Sequence, residues 1–301
     1  MIARRNLSQL AAHVVEWIEN QGIVVAPGSR IDRMRAMLVP PDGAPAPFIS
    51  PSDKGFELAL EAERDLQMLG FTFEQLANLT LASDFQTHLR RLLKDAALPQ
   101  DDSENTIGRD IQCELYVAAI CMKAGTSPSF AEPDIRCIVD GLTFGVAIKR
   151  VKSLGTFEDR LRKAVKQIRR VNLPGIVVAD ISVMLNPTNE RLIQPVSDGV
   201  YRAAADAMMR KFVDDQHERL LEWFRGSLAR GLILIDHHVR QHPVDGWELD
   251  SMTFGVNLSP SNQRRSREFE CFWRAFQKGL PIQTNFGWSS GWPRPASSRR
   301  G

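Results

Sequence analysis

The chain has 301 residues, of which 43% are hydrophobic and 25% charged, and its 38 basic and 36 acidic residues give a formal net charge of +2. This composition can form a core, so it excludes a wholly disordered chain, and the near-neutral charge excludes a histone-like polycation. No apolar run reaches the roughly 18 residues of a membrane helix, because Asp180 breaks the best stretch. Glu16 and Glu19 interrupt the N-terminal region where a secretory signal would need an apolar core. We therefore expect neither a membrane partner nor a secretory signal.

The first hundred residues have mainly helical patterns. Leu10, Val14 and Ile18 recur at helical spacing, and Phe85 and Leu89 repeat the pattern later. A polar, turn-rich segment at 99–108 then suggests a domain boundary. We predict a helical accessory domain at 1–100, which would serve targeting, homodimer formation or contact with a protein partner.

Helices and strands alternate over residues 109–284, which predicts an α/β or α+β domain. The expected helices cover 109–124, 157–171, 198–228 and 262–278. The expected strands cover 134–139, 143–151, 175–184, 231–240 and 247–257. Residues 285–301 are rich in Gly, Ser, Pro and Arg, and we expect a flexible tail there.

The four cysteines have no CxxC spacing, which argues against a zinc site. They are Cys113, Cys121, Cys137 and Cys271. We predict buried free thiols and a cytoplasmic location, where thiols stay reduced.

The Asp140-Gly141 pair lies between two apolar runs and predicts a two-residue hairpin turn. If the turn consists of these two residues, Asp134 stands opposite Ala147 across the hairpin. Side chains alternate along a strand, so Ala147 and Lys149 share a face that Asp134 joins from the other strand. A longer turn or a bulge would shift this register.

The two helices flanking the hairpin carry further polar candidates. Glu114 lies at the edge of an apolar helical stripe, where it can reach the rim of the sheet. Gln167 lies on the flank of a strongly basic helix. Nine basic residues against two acidic ones give a local charge of +7 from Lys149 to Arg170, which suits a polyanion backbone as well as a solvated helix face.

The ordered set of a helical Glu114, Pro133-Asp134, a strand ending in Lys149 and a helix bearing Gln167 resembles the PD-(D/E)xK, or restriction-endonuclease-like, nuclease superfamily. The resemblance covers roughly residues 109–185. It implies a core with a central mixed β-sheet flanked by helices, spanning 109–284 here. It also implies a metal-dependent nuclease that hydrolyses phosphodiester bonds, with DNA as the favoured substrate and restriction or antiphage defence as a context.

The resemblance assigns a role to each matching position. Asp134, a second acid at position 147 and Glu114 would hold Mg²⁺ or Mn²⁺, together with the backbone carbonyl of Ile148. Lys149 would position or deprotonate the attacking water, and Gln167 would support the geometry of the site. The nucleic-acid backbone would contact the neighbouring basic residues, namely Arg150, Lys152, Arg160, Lys163, Lys166 and Arg170.

Position 147 departs from the family pattern, because it holds alanine where the second acid is expected. Three explanations are open. Ala147 is an inactivating substitution of a native glutamate, or Glu132 supplies the acid from opposite Lys149, or the chain is a naturally inactive module that binds nucleic acid or a protein. With one carboxylate missing, we expect this chain to bind metal weakly and to be inactive.

The adjacent His237 and His238 follow an apolar strand pattern. Neighbouring strand residues point to opposite faces, so these two cannot bind one ion without a bend. We predict structural or surface roles for them.

Overall fold

The computed structural model describes residues 2–38, 55–76, 83–96, 107–185, 198–242, 246–259 and 261–281. In these residues the helices are α1 (Ile2–Asn20), α2 (Arg30–Leu38), α3 (Gly55–Leu76), α4 (Ser83–Leu92), α5 (Ile107–Lys123), α6 (Leu154–Val171), α7 (Ser182–Leu185), α8 (Asp198–Phe224) and α9 (Gln263–Gly279). The strands are β1 (Ser129–Ala131), β2 (Asp134–Val139), β3 (Leu142–Arg150), β4 (Gly175–Asp180), β5 (Ala229–His242) and β6 (Gly246–Asn257). None of the described helices is long and apolar enough to cross a membrane.

The six strands form one mixed sheet in the order β1-β2-β3-β4-β5-β6. The pairs β3/β4 and β4/β5 are parallel, and the other three pairs are antiparallel. Helix α6 connects the parallel strands β3 and β4, as a parallel pair requires a crossover. The predicted mixed sheet flanked by helices is therefore present.

The two faces of the sheet bury different apolar clusters. Val146 and Ile148 of β3 belong to the cluster that includes α5 and α9, whereas Ala147 and Val177 belong to the cluster beneath α6 and α8. This alternation confirms the predicted facing of β3 and puts α5 and α6 on opposite sides of the same strands.

Helices α3 and α4 pack against α5, and α1 and α2 pack against α3 and against each other. Buried residues of α1 to α4, such as Val14, Ile31, Leu66 and Leu89, belong to the same apolar cluster as the α5 face of the sheet. The helical prediction for this region is confirmed where it is described. Most of the expected boundary at 99–108, and the tail at 285–301, lie outside the described residues.

The hairpin between β2 and β3 has the predicted turn. Asp140 and Gly141 both have positive φ, at 46° and 78°, as a type I′ turn requires. The observed pairs run from Val139 with Leu142 to Ile135 with Val146, so the predicted register is correct.

The structure differs from the expected strand at 175–184. Strand β4 ends at Asp180, whose Oδ1 accepts hydrogen bonds from the Ser182 amide at 3.0 Å and from its hydroxyl. The Asp180 carboxylate thus forms an Asx turn with Ser182 just before the short helix α7. Strand β1 was also not predicted, because three residues are too few to show a period.

All four cysteines are free. Cys113, Cys121 and Cys137 are buried, and Cys271 is partly buried. The prediction of buried thiols holds for the first three.

Candidate active site

Asp134, the first residue of β2, is bonded to the end of β3. Its Oδ2 accepts hydrogen bonds from the Ile148 amide at 2.6 Å and from Lys149 Nζ at 2.8 Å. Backbone pairing between the strands is observed up to Ile135 and Val146, so the carboxylate continues the contact where that pairing ends. The Lys149 ammonium also donates to the Ile148 carbonyl at 2.7 Å. Lys149 thus bridges two of the oxygen atoms that the family resemblance assigns to a metal.

Gln167 fixes the other side of the Asp134 carboxylate. Its Nε2 donates to Asp134 Oδ1 at 3.2 Å and to the Pro133 carbonyl at 3.1 Å. The Gln167 Oε1 atom is buried and has no hydrogen-bond partner among the described residues. A buried amide oxygen of this kind calls for a donor, and a bound water or substrate hydroxyl would supply one.

Glu114 of α5 lines a pocket together with Lys149 and Gln167. Burial and the negative charges of Asp134 and Asp110 raise the pKa of Glu114 to about 8, although the positive charge of Lys149 acts to lower it. Its Oε2 lies 3.7 Å from His88 Nε2 on α4. The expected reach of Glu114 to the rim of the sheet is therefore observed.

The pocket has a volume of about 340 Å³ and joins α5, β3 and α6. Six basic residues and two acidic ones line it, together with Ile148 and Gln167. Most of the basic residues lie on one side of α6, namely Arg160, Lys163, Lys166 and Arg170. An excess of cations beside a carboxylate site suits a phosphodiester backbone.

Two of the basic residues predicted to contact nucleic acid, Arg150 and Lys152, lie outside α6. Arg150 is 5% exposed, and its Nε lies 3.9 Å from Asp180 Oδ2. It also lines a second, smaller cavity that includes Arg64 and Asp65. Lys152 is half-buried and follows the end of β3. The exposed cations of the pocket therefore come from α6.

Ala147 is fully buried in the apolar cluster beneath α6. Glu132 does not replace the missing acid. Ala131 pairs with Asp134, so Glu132 and Pro133 form the turn between β1 and β2, and Glu132 is exposed. The prediction that Glu132 stands opposite Lys149 is wrong, because the chain reverses before reaching that position.

The residues present match Mg²⁺ in chemical type, with the acid expected at position 147 missing. The carboxylates of Asp134 and Glu114 and the Ile148 carbonyl are hard oxygen donors. Among the described residues, no group of three or more His, Cys, Asp or Glu side chains is arranged to hold a metal ion. A cation bound here would be held by Asp134, Glu114 and Ile148, with Lys149 released from two of these oxygens.

Sequence reasoning missed two residues at this site. Asp110 lines the pocket one helical turn before Glu114, and its i,i+4 spacing was a usable signal. No sequence signal indicated His88, because it contacts Glu114 from a separate helix.

The histidine prediction holds for His237. This side chain is buried, and its Nδ1 lies 2.7 Å from Ser251 Oγ, while its ring packs edge-on against Tyr116. His238 lies on β5, and its side chain falls outside the described set.

Comparison with known proteins gives no match to a family model, to a curated protein or to a solved structure.

Proposed function

We propose that this chain has the fold and site of a PD-(D/E)xK nuclease, whose native form with an acid at position 147 hydrolyses phosphodiester bonds with a divalent cation and favours DNA, and that Ala147 inactivates it. The observation that carries the proposal is the bonded set of Asp134, Lys149 and Gln167, with Glu114 in the same pocket. Four separate elements contribute these side chains. The order α5, β2, β3, α6 and β4 follows the ordered pattern on which the family resemblance rests.

Each residue has a task that its position supports. Gln167 and the Ile148 amide orient the Asp134 carboxylate, and the cations of α6 hold the substrate backbone. Lys149, once released from Asp134, would supply a positive charge to stabilise the charge that develops on the phosphate. A bound Mg²⁺ would lower the pKa of a water and offset the phosphate charge.

A second candidate function is binding of nucleic acid without cleavage. Lys149 Nζ already occupies the space between Asp134 Oδ2 and the Ile148 carbonyl, and Ala147 adds no acid. An ammonium group in that place neutralises the site without a metal. This observation favours an inactive binding module, in line with the expected low activity of the chain.

One experiment separates the two candidates. Labelled DNA and RNA are incubated with the wild-type chain, with Ala147→Glu and with Ala147→Glu/Lys149→Ala, with Mg²⁺ or Mn²⁺ or with EDTA. The nuclease proposal expects Ala147→Glu to cut in a metal-dependent manner, and removal of Lys149 to reduce that rate by on the order of 10²-fold or more.

Ala147 is buried, so the shorter Ala147→Asp is made in parallel, and circular dichroism checks that each variant folds. If folded variants with the acid restored bind no metal and cut neither substrate, the nuclease proposal is refuted. Retained binding in EDTA would then support the second candidate.

A further inference from the structure

We infer that helix α4 extends the nucleic-acid path beyond the pocket, with Arg91 as its phosphate contact on the side opposite α6. This inference rests on the proposed function, and it gives the N-terminal helices a part in holding the substrate. Its basis is the placement of α4 at the edge of the pocket and the direction in which Arg91 projects.

Helix α4 is fixed at the rim of the site by packing and by a polar contact. Phe85, Leu89 and Leu92 are buried against the core that includes α5. On the flank of this buried stripe, His88 Nε2 lies 3.7 Å from Glu114 Oε2. Glu114 lines the pocket, so α4 lies against one of the residues that form the pocket.

Arg91 projects from α4 close to this contact. At 100° per residue, Arg91 lies roughly 60° around the helix from His88, whereas Arg90 lies roughly 160° from it. Both arginines are exposed. Arg91 therefore lies on the same side of α4 as His88, which contacts Glu114, and Arg90 provides a matched cation on the other side.

The charges across the pocket run in a definite order. The cations of α6 from Arg160 to Arg170 span about 15 Å along the helix axis. The α5 carboxylates, Asp110 and Glu114, also line the pocket, and α4, which carries Arg91, contacts Glu114 through His88. A polyanion crossing the acidic wall gains from a cation on its far side. A strand held by α6 alone would end at that wall.

The test measures how binding depends on oligonucleotide length and on salt. The full chain is titrated by fluorescence anisotropy with labelled single-stranded DNA of about 4 and about 16 nucleotides. The titrations are run in EDTA and again with Ca²⁺, over a salt series, for wild type, Arg91→Ala, Arg91→Lys, Arg90→Ala and Lys163→Ala.

The expected result is specific to length. Lys163→Ala weakens binding of both oligonucleotides. Arg91→Ala weakens only the longer one and lowers its salt slope by about 0.7, the value for one phosphate contact to a single strand. Arg91→Lys keeps the slope, and Arg90→Ala leaves both affinities unchanged.

If Arg91→Ala behaves like Arg90→Ala on the longer oligonucleotide while Lys163→Ala still weakens binding, the inference about α4 is overturned and the pocket assignment stands. If Lys163→Ala has no effect either, the proposed function itself fails. The two failures are thus distinguishable in one data set.

Discussion

Replacing Glu114 by glutamine should stabilise the metal-free protein at alkaline pH and change little at acidic pH. Burial and the Asp134 and Asp110 charges raise the pKa of Glu114 from 4.5 to about 8 in the folded protein. Between these two values the folded chain keeps a proton that the unfolded chain has lost. Stability therefore falls as the pH rises through this range, and the loss is complete above about pH 8.

The size of the pKa shift limits how much Glu114→Gln can change the stability of the fold. At 1.36 kcal/mol per pH unit, a rise from 4.5 to about 8 corresponds to an upper limit of about 5 kcal/mol. The Glu114 side chain retains 17% exposure, so solvent screens part of the penalty. We expect Glu114→Gln to be more stable than wild type by about 2–5 kcal/mol above pH 8, and equal to it within about 0.5 kcal/mol near pH 4.5.

Urea denaturation of both proteins in EDTA, at about pH 5 and about pH 9, measures this difference. Glu158→Gln is the matched control, because Glu158 is a half-exposed carboxylate on α6 that pairs with Arg162 at 2.6 Å. This control should change stability by no more than about 0.5 kcal/mol at either pH. If Glu114→Gln changed the free energy of unfolding equally at both pH values, the explanation by burial and neighbouring charges that raise the pKa of Glu114 would be refuted.

Two further predictions concern the scaffold. Asp65→Asn should destabilise the fold by about 3–5 kcal/mol in urea denaturation. The substitution removes the carboxylate that neutralises the buried guanidinium groups of Arg30 and Arg109. An unchanged urea midpoint would contradict this role of Asp65. Gly231→Ala should cost about 1–3 kcal/mol, because a Cβ there would meet the Phe269 ring at 2.0 Å. Gly155→Ala, with nothing within 4 Å of the added Cβ, should be neutral or slightly stabilising, and an equal loss for both glycines would exclude the steric explanation.

The buried charges around Asp65 explain why its substitution is expected to be severe. Burial would raise the pKa of Asp65, but the guanidinium groups of Arg64, Arg109 and Arg30 hold it well below its usual value. The carboxylate is thus ionised in the folded protein, and it joins α2, α3 and α5. Its loss leaves arginines without their compensating charge, which costs more than a surface ion pair would contribute.

Local chemistry made parts of the fold and site predictable from sequence alone. The Asp140-Gly141 turn fixed the register of the hairpin, because both residues tolerate positive φ, and that register placed Asp134 beside the end of β3. The apolar period of α5 put Glu114 at the boundary of the buried face. These features depend on residues only a few positions apart, and short-range geometry determines them.

Other features were decided by contacts between distant segments. The contact of His88 with Glu114 and the burial of Arg150 against Asp180 have no local signal. Each depends on which surfaces meet when the apolar faces of the helices and the sheet are buried together. The sequence by itself determined the hairpin and the side chains that it carries. Only the tertiary structure decided that α4 lies beside Glu114, because the burial of Leu89 and Leu92 against the core packs that helix onto α5.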